Sequence, residues 1–236
     1  MNKYNNFVKS RAISFVIVLL FSLIGSFSQS SFSFSNLVLF EEGKQLSKLY
    51  NSMDIEHLWQ SGKHVNWETG LNDDPYATSG IKTHCSAFAA AACKKMGIYL
   101  LRPPEHSEIL LASAQFDWLK SEAANNLGWK QINDLNLLNV YIKAQDYANK
   151  GMMVVASYKN VNPYKPGHIA IVTPSNLSVE EISKKGPKLI MSSNKNYSSI
   201  DFVDGFKRHI KSFPEKDILF FYNTKSYNFP KNISNK

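Results

Sequence analysis

At 236 residues, 44% hydrophobic and 13% aromatic, the chain suits one domain or at most two and can bury a sizeable core, which excludes a disordered or low-complexity protein. The formal net charge is +8, yet no Lys/Arg cluster or basic stripe interleaved with aromatics argues for nucleic acid as a partner. Two cysteines in a chain of this size exclude a disulfide framework.

The N-terminus carries Lys3, Lys9 and Arg11, then an apolar stretch from Ala12 to Gly25, then Ser26-Phe27-Ser28. A basic start, an apolar middle and a small-residue exit make a secretory signal. The apolar stretch is shorter than the ~20 residues that a membrane span needs. The expectation is a signal peptide over 1–28, a secreted or periplasmic product, and no stable membrane span after cleavage. Without that segment the chain keeps 24 basic and 19 acidic residues, a mild excess that fits an anionic polymer or surface.

A short N-terminal helical segment is expected over 29–58. Leu37, Phe40, Leu46, Leu49 and Tyr50 fall near helical spacing, and Asp54 is placed to cap a second short helix through Trp59. A polar loop, Ser61 to Gly80, follows with Trp67, Pro75 and Tyr76. Loops of this length inside a compact domain are often functional.

The loop leads to Thr83-His84-Cys85-Ser86-Ala87-Phe88 and an alanine-rich run ended by Gly97. The run predicts a buried helix with Cys85 on its first turn. The unpaired N–H groups there favour a thiolate, the nucleophilic form, and are suited to holding an oxyanion. Cys93 lies eight residues on, inside the same helix, and reads as a structural thiol. That spacing is roughly 12 Å along a helix, beyond the ~7 Å that a disulfide spans, so both thiols are expected free.

Ser107 is placed to cap a helix over Glu108 to Ala124, and Leu137 to Lys150 predicts another, ended by Gly151. Strands are expected at Met152 to Ala156, His168 to Val172, Lys188 to Met191 and Ile218 to Tyr222. Helices first and strands later, with short connections, predict an α+β domain with a small antiparallel sheet. Its span is set at 59–224, followed by a loose tail over 225–236.

Cys85 needs a base, and Pro166-Gly167-His168-Ile169-Ala170-Ile171-Val172 offers one at the start of a strand. The other histidines fall in a helix, loops or a basic stretch. Trp67, Tyr76 and Tyr158 are candidates for lining a substrate cleft.

The cysteine at a helix start, followed by small and aromatic residues, together with Gly-His-Ile-Ala-Ile-Val on a later strand, resembles the NlpC/p60 superfamily of cell-wall cysteine peptidases and amidases, relatives of the CHAP domains. The resemblance implies a papain-like α+β fold, Cys85 as nucleophile, His168 as general base and no metal or cofactor. It also implies cleavage of an amide in peptidoglycan stem peptides, or of the bond joining them to the glycan. The chain is expected to be a monomer. That family places a polar residue on the next strand to orient the imidazole. Here the aligned position is Met191, so Asn196, Asn194, a backbone carbonyl or water is left for that role. Two alternatives stay open: a non-catalytic wall-binding module on the same fold, and an exported protease or effector acting on a protein.

Overall fold

A computed structural model describes residues 37–74, 76, 85–210 and 217–225. The expected signal peptide, the Thr83-His84 lead into the central helix and nearly all of the tail lie outside the described residues.

Helix α1 (Glu41–Asn51) is followed by the irregular 52–74 segment, then by α2 (Cys85–Lys95), α3 (Leu111–Leu119) and α4 (Glu122–Asn126). Strand β1 (Trp129–Gln131) and helix α5 (Leu137–Asn149) come next, then β2 (Val154–Tyr158) and β3 (His168–Val172). The chain continues through α6 (Val179–Lys185), β4 (Lys188–Met191), β5 (Tyr197–Asp201), α7 (Phe202–Gly205) and β6 (Ile218–Asn223). The strands make one antiparallel sheet in the order β1-β6-β2-β3-β4-β5. The expected α+β class and antiparallel pairing are therefore present, with six strands rather than four.

Strand alternation separates two cores. Val155, Ile169, Ile171, Ile190 and Phe221 face one way, toward α1, α2 and the 53–65 segment. Val154, Ala156, Ala170, Val172, Leu189, Met191 and Phe220 face the other, toward α5, α6 and α7. Helices thus cover both faces of the sheet. Helix α1 is not set apart, because Leu46 and Tyr50 share a core with Cys93 and Met153.

Helix α2 has no polar face: every residue from Cys85 to Cys93 is buried. Alanine pairs high helix propensity with a small side chain, so such a helix can lie close to β3 on one side and to the tryptophan-rich segment on the other. Trp59 meets Phe88 edge-on at 5.3 Å, a favoured aromatic geometry. On the opposite face, buried Gln145 of α5 bonds Thr173 O and accepts the Lys188 N–H, both at 2.9 Å, which fixes α5 to the ends of β3 and β4.

Three expectations change. Asp54 to Trp59 forms turns rather than a helix, and both end residues have left-handed φ, 49° and 50°. The expected 108–124 helix breaks in two: Leu110, not Ser107, precedes α3, and Ser121 caps α4 through the Ala124 N–H. Strands β1 and β5 and helices α6 and α7 add to the expected elements. Both thiols are free, as expected.

Gly167 precedes His168 and packs without clearance. A Cβ there would stand 2.4 Å from Tyr158 O and 3.0 Å from Ser113 Oγ, and the Gly167 N–H donates to that same hydroxyl at 3.1 Å. The backbone carbonyl cannot yield without disturbing the β2–β3 pairing. Gly167→Ala is expected to cost about 1–3 kcal/mol, the range for overpacking a filled site. A lowered urea midpoint at unchanged slope would register it.

Candidate active site

One cleft of about 440 Å³ opens at the end of the sheet where α2 and β3 begin. Its walls are Cys85 and Ser86 at the start of α2, 108–112 at the entry to α3, 166–168 leading into β3, 192–194 after β4, Ser61, and Arg208-His209 beyond α7. Leu110 in that wall has left-handed φ of 54°, a conformation costing a non-glycine residue roughly 1–2 kcal/mol. Strain of this kind clusters at functional sites.

Cys85 is only 6% exposed. Its sulfur faces the backbone N–H of Ile169, with those of Ser86 and Cys85 itself beside it. Burial pushes the thiol up to about 11, and these N–H groups, which favour the thiolate, offset only part of that. The stabilised thiolate expected at the helix start is therefore not the resting form: desolvation outweighs the helix terminus. Cys93, on the same helix, is raised further by burial and has only the charge of Arg102 opposing it.

His168 is 7% exposed. Alternation puts it on the face of Ala170 and Val172, whereas Ile169 and Ile171 face α2. Thiol and imidazole thus belong to opposite faces, and both line the cleft at the sheet's end. The imidazole sits edge-on to Phe206 at 4.9 Å and stacks on His209 at 5.5 Å. Its Nε2 is buried with no hydrogen-bond partner among the described residues. Burial, and secondarily the charge of His209, draws His168 down to about 3. Both groups are neutral across the physiological range, and among the described residues no hydrogen bond joins them.

The remaining candidates separate. Asn196 does not line the cleft. Its Nδ2 donates to Ile55 O and Leu58 O, both at 2.8 Å, and its Oδ1 accepts the Ser193 N–H at 3.1 Å, so it fastens the loop after β4 to the 55–58 turn. Met191 is buried in the α5-side core, and Asn194 lines the cleft. Trp67 packs against the α2-side core, with Lys94 and Arg102 over its ring at 5.5 and 5.7 Å. Tyr76 is 91% exposed and, like Trp67, outside the cleft wall. Tyr158 pairs with His168 across β2 and β3 and stacks on His209 at 4.5 Å. Of the residues proposed from the sequence, Cys85, His168 and Asn194 line the cleft, with Tyr158 one layer behind.

His209, Arg208 and Glu108 were not singled out by the sequence reading. Nothing local to their segments marks them; tertiary packing alone brings them to the cleft. Glu108 is raised, first by partial burial and then by the charge of Asp73. Among the described residues no group of three or more His, Cys, Asp or Glu side chains is placed to hold a metal ion. The chain matches no model of a known protein family and no curated protein.

Because His168 is held at about 3 against an ordinary 6.5, the unfolded chain takes up this proton first as pH falls. The stability gained by burying it neutral is complete above about pH 6.5 and is lost progressively toward pH 3. The contribution changes by about 1.4 kcal/mol per pH unit in that window. Urea unfolding at a series of pH values is expected to show this slope in the wild type and a shallower one in His168→Phe.

Proposed function

We propose that this protein is an exported cysteine hydrolase of papain-like, NlpC/p60-related type, cleaving an amide in peptidoglycan stem peptides or at their junction with the glycan. The observation carrying the reading is the convergence of two distant segments. The first residue of a buried helix and the first residue of a buried strand bring a thiol and an imidazole to one cleft. Basic net charge fits an anionic wall polymer, and the N-terminal pattern fits export.

The chemistry follows from the resting charges. With thiol and imidazole both neutral, the reaction runs by general base rather than from a standing ion pair. A substrate carbonyl enters the cleft, and the His168 imidazole accepts the Cys85 proton. Catalytic hydrogen bonds often tighten only in the complex, so the unbonded resting geometry is compatible with this step. The forming thiolate attacks the carbonyl carbon while the Ile169 and Ser86 N–H groups offset its charge. The oxyanion is met by first-turn N–H groups of α2. The imidazolium gives its proton to the departing amine, which leaves a thioester on Cys85. Water then attacks that thioester, giving its proton to His168, and the acid and the free thiol are regenerated.

A second reading is favoured by one observation. A thiol raised to about 11 and not bonded to its imidazole also suits a binding module in which Cys85 only packs.

Mass spectrometry of peptidoglycan digests separates the two. The wild type is expected to release fragments with the mass of a cut stem peptide. Cys85→Ala should fold normally and lose release by about 10³-fold or more, as removal of a nucleophile does. Full release by Cys85→Ala would end the hydrolase reading, and no release by the wild type from several wall types would favour the binding module. Iodoacetamide gives a check without substrate. At pH 7 only about one thiol in 10⁴ is ionised at Cys85, so alkylation should be slow and accelerate up to about pH 11, with Cys93 slower throughout.

A further inference from the structure

Among the described residues no side chain bonds the Nε2 of His168, yet the imidazole is held. Its Nε2 is buried and has no hydrogen-bond partner among the described residues. What touches it is aromatic. Phe206 sits edge-on at 4.9 Å, and His209 lies nearly parallel, at 5.5 Å and 24°. His209 in turn stacks on Tyr158 at 4.5 Å and 33°. The backbone ties the two residues together: the His209 N–H donates to Phe206 O at 2.7 Å. Tyr158 is the cross-strand partner of His168, so the ladder sets both ends of the stack.

We propose that His209 is the positioning residue of this site: stacked on Tyr158 and His168, it fixes the plane of the His168 imidazole in place of a polar side chain on β4. The proposal rests on His168 being the base. Stacking opposes rotation about the Cβ–Cγ bond, the motion that would turn the ring out of its plane. An amide or carboxylate bonded to Nε2 would instead lock the tautomer. The stack therefore keeps the base aligned without a bond to its Nε2.

The arrangement also couples the site to pH. Two imidazoles 5.5 Å apart do not both charge readily, so the pair titrates in two linked steps. The other titratable groups around the pair are Tyr158 from β2, Cys85 from the start of α2, Glu108 before α3, and Arg208 beside His209. Arg208 disfavours a charged His209, and so does its partial burial, which is the larger cause.

The test uses the full chain with His209→Ala and His209→Phe, the second keeping a flat ring without a charge. Imidazole C2–H signals titrated by NMR report His168 with no substrate present. His209→Ala is expected to raise the His168 pKa by about one unit or more, through admitted water and the lost charge. His209→Phe should keep the buried environment and reduce the two linked steps to one. Release of peptidoglycan fragments should fall at least about tenfold in His209→Ala, part of the ~10²-fold or more that a positioned base supplies, and mostly recover in His209→Phe. An unchanged His168 titration in His209→Ala, or equal losses in the two variants, would overturn the proposal. Full release by Cys85→Ala would instead sink the hydrolase reading while the NMR titration still judged the stack.

Discussion

The fold depends on how close α2 lies to β3. A helix buried on every side must present small side chains, and Ala87, Ala89, Ala90, Ala91 and Ala92 do so. That contact fixes where the helix begins relative to the strand. The Cys85 sulfur consequently ends against the Ile169 N–H, one residue from His168. The cysteine is placed by helix packing, and the histidine by the β2–β3 ladder with Gly167 closing onto Tyr158 O. Each is set by tightly packed backbone rather than by a mobile loop.

The same burial that gives precision sets the charge state. Backbone N–H groups around the sulfur favour a thiolate, but removal from water opposes it and wins. On the other face, desolvation and a neighbouring imidazole keep His168 neutral. A neutral buried sulfur also resists oxidation, because the thiolate is the form that oxidants attack.

Much of this was legible in the sequence, and the gaps have physical causes. Strands β3 and β4 were read at their observed bounds, because continuous β-branched and apolar runs have few other homes. The start of α2 at Cys85 and its end before Gly97 followed from the alanine run and the glycine, which has φ of 65°. Strand β5 escaped notice because Tyr197-Ser198-Ser199-Ile200-Asp201 is polar, as edge strands often are. Helix α6 has a sign in the sequence, the Ser178/Glu181 capping box. Asn196 was chosen as orienter by chain proximity, but its amide is taken by the carbonyls of Ile55 and Leu58, contacts that only the folded chain creates. His209 had no local sign, since its meaning lies in the rings it packs against.

The central claim is that the Cys85 sulfur forms a bond to the substrate. Its most direct test is acid quenching of the protein during digestion of peptidoglycan, followed by peptide mass spectrometry of the thiol-bearing fragments. The account predicts a stem-peptide acyl group on Cys85, released by hydroxylamine as a thioester is, and absent from Cys85→Ser under the same treatment. Fragment release with no adduct on Cys85, or with the acyl group on Cys93, would contradict it.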